Sequence, residues 1–268
     1  MRKRIITVFI CSIALIMLLT GVILYQRKKQ DMGYAKKLIS AIEKNDMDLL
    51  SELLEEKGNV NAKPYLLDID VRNYQPLSEA AYRGNFEAVK MLIEAGAKVN
   101  VSGTNKQTPL HMTVIGYAKE NIYQIVSYLV EHGADINKKN FFGETPIATL
   151  LSYSSTEERY QCFLYLIEHG ARVKRSGRYG SIIFEACSSN NVKEISFLFS
   201  NFEIDSNEKD KETGNTPLME AAYFNSREAI EILLTHGADS RIKNKRGKTA
   251  YDYAIENGYT ELSELLQP

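Results

Sequence analysis

The first feature of the hydropathy pattern is an uncharged apolar run of 21 residues from Ile5 to Tyr25. A helix rises about 1.5 Å per residue, so this run would reach about 31 Å, close to the ~30 Å hydrocarbon core of a bilayer. Secretory signal peptides have apolar cores of about 7–15 residues and end in a small-residue cleavage site, which this run lacks. The pattern therefore predicts an uncleaved transmembrane helix over residues 5–25, with a cleaved signal as the alternative.

Basic residues on both sides of this run give opposing indications of its orientation. Arg2, Lys3 and Arg4 precede the run and resist translocation, which favours a cytoplasmic N-terminus. Lys28 and Lys29 follow the run and favour the reverse. We expect a single-pass protein of the cell membrane whose remaining chain is extracytoplasmic, and the opposite orientation stays open.

From about residue 35 onward, apolar residues recur with the period of an α-helix in pairs of short segments. The second segment of a pair shows this most clearly, for example at Val89, Leu92 and Ile93. The later second segments repeat the spacing at Ile125, Leu129 and Val130; at Leu164 and Ile167; at Ile195, Leu198 and Phe199; and at Ile230, Leu233 and Leu234. The pattern predicts a chain built from helix pairs.

Two independent landmarks recur along the same stretch. The turns that open the pairs have second residues spaced 33, 37, 36, 35 and 33 positions apart, at Pro76, Pro109, Pro146, Ile182, Pro217 and Ala250. The turns that close the pairs are Glu94-Ala95-Gly96-Ala97, Glu131-His132-Gly133-Ala134, Glu168-His169-Gly170-Ala171 and Thr235-His236-Gly237-Ala238. Threonine before proline suits a helix start, and glycine suits the left-handed residue after a helix. A period shared by two landmarks indicates a structural repeat.

These motifs resemble the ankyrin repeat. The family pattern is most complete from Gly214 to Ala222 with Gly237-Ala238-Asp239, and it recurs in Thr108-Pro109-Leu110-His111. The resemblance covers about residues 35–268 and implies stacked helix-turn-helix units that bury their apolar faces only against their neighbours. It also implies that His111 ties neighbouring turns together.

We therefore expect an all-α repeat solenoid of about seven ankyrin-type units, preceded by one N-terminal transmembrane helix. Residues 1–33 would form the basic flank and anchor, and residues 34–268 the repeat domain. The expected units are 35–70, 71–103, 104–140, 141–176, 177–210, 211–244 and 245–268, with the first and last as caps. The fifth unit has Ile182 in place of proline, Phe202 in place of the closing glycine, and a charged stretch at 207–212. We expect a solvated, mobile loop there and the weakest joint of the array.

Composition and charge narrow the classes of function. The chain is 44% hydrophobic and 25% charged, and its net charge is −1, as in an ordinary globular protein. Residues 1–33 carry six bases and one acid, which leaves −6 for the rest. A mildly acidic body argues against nucleic-acid partners. The Trp-free composition, rich in Lys, Ile and Tyr, favours a bacterial source.

Residues that could carry catalysis or bind a metal have simpler interpretations. Cys162 and Cys187 fall at apolar helix positions and should be buried hydrophobes, with a bridge between them as the alternative. His132, His169 and His236 occupy one repeat position, which indicates turn residues rather than metal ligands. The sequence contains no recognisable phosphate-binding loop, and no serine or cysteine lies in a recognisable catalytic motif. We expect no enzymatic activity, cofactor, metal or small-molecule substrate.

In ankyrin-like arrays, the variable contact positions are the hairpin tips and the two residues after the small-residue pair of the first helix. The residues of this chain at those positions, our predicted protein-binding residues, are Tyr82, Arg83, Phe141, Phe142, Ser152, Tyr153, Arg178, Tyr179, Tyr223 and Phe224. Seven of these ten are aromatic, although only 10% of the chain is. Exposed aromatics beside arginine are typical of protein interfaces, although aromatics here could instead cover apolar surface on adjacent repeats.

The resemblance implies an interaction module that binds a protein partner on its concave surface. Together with the apolar run, it predicts a membrane-tethered scaffold or adaptor. Two alternatives remain open. One is an inhibitor or immunity protein that blocks a toxin or enzyme, and the other is a soluble exported protein after signal cleavage.

Overall fold

The computed structural model describes residues 2–64, 74–116, 121–174, 177 and 180–267, with side chains from residue 16 onward except that of Thr104. Fourteen α-helices lie in the described ranges and form seven consecutive pairs. They are α1 (Arg2–Glu43), α2 (Met47–Glu55), α3 (Pro76–Tyr82), α4 (Phe86–Glu94), α5 (Pro109–Ile115), α6 (Ile122–Glu131), α7 (Pro146–Leu151), α8 (Glu157–Glu168), α9 (Ile183–Ser188), α10 (Val192–Asn201), α11 (Pro217–Tyr223), α12 (Arg227–Thr235), α13 (Ala250–Glu256) and α14 (Thr260–Leu265). A 3₁₀ turn occupies Thr104–Lys106.

The helices stack in two rows, as a solenoid requires. The first helices of successive pairs contact one another in the order α1, α3, α5, α7, α9, α11 and α13. The second helices form the other row, in the order α2, α4, α6, α8, α10 and α12. Each unit thus packs against the units before and after it, which confirms the all-α repeat fold.

The core of the stack explains why the small and large apolar positions recur. The pairs Ala80-Ala81 and Ala221-Ala222 are fully buried in the first helices, where they let the backbones of neighbouring first helices approach. Leu92, Leu129 and Leu233 are fully buried in the second helices and form one continuous core with them. Burial of this kind is supplied by neighbouring units rather than by a single helix pair.

The first helix differs from the sequence expectation of two separate helices. α1 runs without a break for 42 residues, through the apolar run and into the first unit of the array. Its last part packs in the core through Tyr34, Leu38 and Ile42, and the Tyr34 hydroxyl donates to the Leu53 carbonyl at 2.7 Å. Residues 26–33 contain no proline, and the single Gly33 does not adopt a positive φ, so nothing in the sequence ends the helix there.

The described part of the apolar run is exposed, from Ile16 to Tyr25. Within the described part of the chain, no helix is both long enough and apolar enough to span a bilayer. The side chains of residues 5–15, half of the predicted anchor, lie outside the described residues.

The predicted helix signals are present in most units. The Thr108, Thr216 and Thr249 hydroxyls each accept a hydrogen bond from the backbone N–H three residues later. Thr145 is the exception, because its side chain does not cap α7. The four closing glycines all have positive φ, from 83° to 91°, which confirms their predicted left-handed conformation: Gly96, Gly133, Gly170 and Gly237.

A ladder of asparagine side chains ties successive closing turns together. Asn100 donates to the Gly133 carbonyl at 2.8 Å and accepts from the Asp135 N–H at 2.7 Å. The same paired bonds recur at Asn61, Asn137 and Asn207. Lys174 occupies the corresponding position in the fourth unit, so this asparagine ladder is interrupted where the fourth unit meets the fifth.

Asp210 is the one buried residue of the charged stretch 207–212. We expected a solvated loop at 207–212, but Asp210 is buried and its backbone N–H donates to the Asn215 carbonyl at 2.8 Å. Burial alone would raise the pKa of Asp210, yet hydrogen bonds from the Thr213 hydroxyl and nearby N–H groups leave it lowered. The expected solvation holds for Lys209, Lys211 and Glu212, which are exposed, while the hydrogen bonds accepted by Asp210 stabilise the hairpin beside them.

Candidate protein-binding surface

The candidate surface lies along the row of first helices. We call it the first-helix face, and it consists of the hairpin tips before those helices and of the residues at their C-terminal ends. Seven of the ten predicted residues are exposed on it: Arg83, Phe141, Phe142, Ser152, Tyr153, Tyr223 and Phe224. Tyr82 is half-buried against the core, and Arg178 and Tyr179 lie outside the described residues.

The five exposed aromatic residues of this face are Phe141, Phe142, Tyr153, Tyr223 and Phe224, and between 41% and 68% of each is accessible to solvent. They therefore differ from Tyr82, which packs against the apolar core. Tyr82 thus fits the alternative interpretation, in which an aromatic residue at these positions covers apolar surface. Large apolar side chains that are this exposed, here on the fourth and sixth units, are typical of interaction surfaces.

The aromatic pair at the third hairpin tip is held in place by its backbone. Asn140 accepts at Oδ1 from the Phe142 N–H at 2.9 Å and from the Glu144 N–H at 3.0 Å. The Phe141 N–H donates to the Asn105 carbonyl of the preceding hairpin at 2.7 Å. The two rings meet edge to face with centroids 5.7 Å apart. The hairpin thus presents both rings in one fixed arrangement, which lowers the entropy lost when a partner binds.

Tyr153 follows α7 and is oriented by a buried arginine. The Arg159 guanidinium lies 5.0 Å from the centre of the Tyr153 ring. It donates to the Val114 carbonyl at 2.7 Å and to the Leu150 carbonyl at 3.3 Å, at the C-terminal ends of two first helices. Burial lowers the pKa of Arg159. Its charge is stabilised by the carbonyls that a helix leaves unpaired at its C-terminus.

A third aromatic group joins the last two units. Tyr223 contacts Phe224 edge to face at 5.0 Å and Tyr253 of the next unit at 5.7 Å. Tyr253 is buried, and Asn244 donates to its hydroxyl at 3.0 Å and to the Asn215 side-chain oxygen at 2.7 Å. The exposed Tyr223 ring therefore packs on Tyr253, whose position is fixed by hydrogen bonds with Asn244.

Tyr153 and Phe224 line an open groove of about 680 Å³ that crosses the fourth, fifth and sixth units. Its walls are the third hairpin tip and the C-terminal ends of three first helices, and the lining residues are Glu144, Ser152, Tyr153, Ser154, Glu185, Ser188, Ser189, Asn190, Phe224, Asn225 and Ser226. A groove with exposed aromatics, hydroxyls and carboxylates can hold an extended polypeptide segment.

The sequence prediction missed the two acidic residues of this groove. Glu185 is the third residue after Ile182, the second residue of its opening turn, and the same position holds Glu79 and Glu220 in other units. A comparison of this repeat position across units would have revealed the acidic preference. Glu185 itself is buried. Glu79 pairs with Arg83 at 2.6 Å, and Arg83 also reaches Glu43 at 3.1 Å.

The histidines of the array have structural partners. His132, His169 and His236 each hydrogen-bond through Nδ1 to the carbonyl four residues earlier, at 2.7–2.8 Å. Each ring also lies against an aromatic ring, that of Tyr128, Tyr165 or Phe199. These hydrogen bonds confirm the prediction that the three histidines are structural residues of the closing turns. No group of three potential metal ligands occurs among the described residues.

The two described cysteines are buried and free, as predicted for small hydrophobes. Burial raises the pKa of Cys162 to about 12 and shifts that of Cys187 in the same direction. Both thiols are therefore protonated at neutral pH and are poor nucleophiles.

The model of ankyrin repeats matches this chain in three copies, over residues 18–102, 77–177 and 182–267. The chain belongs to the ankyrin repeat family. This assignment agrees with the helix pairs, the Thr-Pro turns and the asparagine ladder, and it makes the chain a protein–protein interaction module of a family that is typically non-catalytic.

Individual ankyrin repeat proteins are similar to parts of the array. A protein of Escherichia coli (strain K12) described as ankyrin repeat protein YahD is 32% identical over 95 residues, which are 33% of this chain and 47% of that protein. Ankyrin repeat domain-containing protein 49 of Bos taurus is 37% identical over 76 residues, 28% of this chain and 29% of its own. Ankyrin repeat and SAM domain-containing protein 6 of Rattus norvegicus is 39% identical over 64 residues, 23% of this chain and 7% of its own. The matched stretches span less than half of each relative.

Proposed function

We propose that this ankyrin array binds a protein partner across the first-helix face, and that residues 5–25 tether it to a membrane. The observation that carries the first part is the set of five exposed aromatic side chains on the fourth and sixth units of the array. Aromatic residues that are exposed in the free protein and fixed by their surroundings are the kind that dominate binding energy at interfaces.

Affinity capture tests the binding surface. The triple variant Tyr153→Ala, Tyr223→Ala and Phe224→Ala should lose the partners that the wild-type chain retains, while its melting temperature changes little. The matched control is Tyr123→Ala, Val192→Ala and Leu265→Ala, which removes three exposed apolar side chains from the second helices. Equal losses from both variants, or retention by the first, would contradict the proposal.

The tether is supported by the uncharged run of 21 residues, by the exposure of its described half, and by its continuity with the array through α1. We expect the full-length protein to sediment with membranes and to resist carbonate and high-salt washes. Recovery of a shortened soluble form that begins near residue 25 would contradict the tether and favour an exported protein.

The orientation we propose places the array outside the cytoplasm. A reporter that is active only outside the cytoplasm, fused after residue 268, should then be active. A silent reporter at that position, together with an active cytoplasmic one, would reverse the orientation.

A further inference from the structure

The hairpins that precede the first helices lie at one edge of the array. We call it the hairpin edge, and it includes the hairpins before α5, α7, α11 and α13, at residues 103–107, 140–144, 210–215 and 244–248. Neighbouring hairpins are joined by their backbones, as where the Lys245 N–H donates to the Thr213 carbonyl at 3.0 Å. The first helices are therefore parallel, and each begins at the hairpin edge and ends at the opposite edge.

α1 runs in the same direction as the other first helices. Its last residue, Glu43, pairs at 3.1 Å with Arg83, which directly follows α3. In the loops after these two helices, Asn85 donates to the Asn45 side-chain oxygen at 2.8 Å. The C-terminal ends of α1 and α3 thus lie together, and α1 extends past the N-terminal end of α3. The apolar run 5–25 is therefore on the hairpin-edge side of the array.

The last hairpin of this edge is strongly basic. Residues 241–248, which we call the basic hairpin, contain five bases and no acid. Arg241 pairs with Asp239 at 2.9 Å, and Lys248 pairs with Glu256 at 2.5 Å. The other three bases are exposed and form no ion pair within the described part of the chain: Lys243, Lys245 and Arg246.

The basic hairpin is held in a fixed shape. The Asn244 side-chain oxygen accepts from the Arg246 N–H at 2.9 Å and from the Lys248 N–H at 3.0 Å. The Lys245 ammonium donates to the Lys211 carbonyl of the preceding hairpin at 2.5 Å. A carbonyl is a neutral partner, so this bond positions Lys245 without compensating its charge.

The surroundings of the basic hairpin leave it positively charged. Lys209 donates to the Lys243 carbonyl at 3.3 Å and adds another exposed cation, with the exposed Glu212 nearby in sequence. Asp252 accepts from the Thr249 N–H at 2.7 Å and from its hydroxyl at 2.8 Å. These bonds from Thr249 are the main cause of the lowered pKa of Asp252, and Lys243 contributes less. The Asp252 carboxylate is thus occupied in capping α13.

We propose that the basic hairpin contacts the anionic lipid headgroups of the membrane that holds residues 5–25. This inference rests on the proposed tether and adds a second membrane contact at the far end of the array. Anionic lipids attract lysine and arginine side chains that lie within about 8–10 Å of the surface at physiological salt.

The dimensions of the array allow both contacts at once. α3 has seven residues and lies beside the end of α1, so residues 26–36 separate the apolar run from the hairpin edge by roughly 16 Å of helix. First helices packed about 8–10 Å apart place the last hairpin roughly 50–60 Å from α1. A tilt of α1 by about 20°, the average for transmembrane helices, lowers that hairpin by about 20 Å. A tilt toward the array thus brings the basic hairpin to the headgroups in either orientation of the anchor.

Lysine reactivity in nanodiscs tests this inference. The full-length protein is reconstituted into nanodiscs of phosphatidylcholine alone and of phosphatidylcholine and phosphatidylglycerol in equal parts. A brief exposure to an amine-acetylating reagent, followed by mass spectrometry, gives the acetylation rate of each lysine. Lys243 and Lys245 should react at least about threefold more slowly in the anionic nanodiscs, because headgroups cover their amines. Lys44 and Lys193, at the opposite edge, should react alike in both, and about 0.5 M salt should remove the slowing.

Two variants test whether charge is responsible. The first replaces the three cations without ion pairs: Lys243→Gln, Lys245→Gln and Arg246→Gln. It should lose most of the slowing that the wild type shows at Lys209 and Lys211. The matched control removes two lysines and one arginine from exposed positions at the opposite edge: Lys44→Gln, Lys193→Gln and Arg227→Gln. The control should keep the slowing, and both variants should melt nearly as the wild type does. Equal losses in the two variants would overturn the inference.

Two further lysines separate this inference from the tether. Lys28 and Lys29 follow the apolar run and are exposed, so both should react more slowly in anionic nanodiscs when the anchor is inserted. If they slow while Lys243 and Lys245 do not, the tether holds and the inference is wrong, as expected if the basic hairpin instead binds an acidic segment of a protein partner. If none of the four slows, or nanodiscs do not retain the protein, the tether fails and the inference fails with it.

Discussion

His111 shows how one buried residue links two repeats and sets a pH dependence. The Thr108 N–H donates to Nδ1 at 3.3 Å, so Nε2 carries the proton and donates to the Glu144 carbonyl of the next unit at 3.1 Å. This confirms the tie between turns that the family resemblance implied. Burial lowers the pKa of His111 to about 4, against the smaller raising effect of the Glu144 carbonyl.

The lowered pKa predicts a loss of stability in acid. The unfolded chain takes up a proton near pH 6.5 and the folded one only near pH 4, so the His111 contribution is complete above pH 6.5 and declines between these values. The difference in pKa corresponds to roughly 3 kcal/mol of unfolding free energy. Denaturant unfolding from pH 7.5 to pH 4 should show a smaller loss in His111→Gln than in the wild type.

The comparison is between the wild type and His111→Gln, measured at the same series of pH values. All other titratable groups are the same in the two proteins. The difference between their losses of unfolding free energy therefore measures the contribution of His111. Identical pH dependence in the wild type and His111→Gln would contradict the assignment.

Leu233 tests the packing of a second helix. It is fully buried in α12, so Leu233→Ala should reduce the unfolding free energy by about 2–5 kcal/mol in denaturant titrations. Leu265→Ala, at a much more exposed position of α14, should cost far less. A loss below about 0.5 kcal/mol at Leu233 would mean that α12 is misregistered.

At the level of elements, the joint between the fourth and fifth units lacks two devices that other joints have. α9 begins after Ile182 without a side-chain cap, and the Ser181 hydroxyl instead donates to Glu208 at 2.6 Å. The asparagine ladder is also interrupted at Lys174. Fewer local restraints lower the free energy of partial opening.

Hydrogen exchange measures this opening. Amides in the described range 180–212 should exchange faster than those in 74–116 and 121–137, although 210–215 should be partly protected by the hairpin around Asp210. Uniform protection across these ranges would show that the fifth unit is as firmly held as the others.

The elements themselves were largely predictable because each repeat carries its own start and stop signals. Thr-Pro turns and closing glycines predicted the helix pairs. The clearest unit begins its first helix at Pro217 and ends its second helix before Gly237. The continuity of α1 differs from the sequence prediction, because the uniform apolar run and the periodic apolar pattern that follows it indicate two separate helices. The intervening residues contain no helix-stopping signal, so continuity was open to prediction.

At the scale of the whole molecule, the sequence predicted which positions face outward but not what they form together. Phe141, Tyr153 and Phe224 were identified one unit at a time. The groove that joins Tyr153 to Phe224 depends on how three units stack, and Glu144 and Glu185 become its wall only in the folded array. Tyr82 occupies a repeat position that is expected to be exposed, yet it is half-buried. Repeat position alone therefore does not determine exposure.

The central claim, that the first-helix face is where this ankyrin array binds protein, is tested most directly by hydrogen exchange of the array with and without a captured partner. The account predicts slower exchange on binding at 140–144, 151–155 and 223–226, with unchanged exchange at the closing turns 131–134 and 168–171. Slower exchange confined to the closing turns and second helices would contradict it.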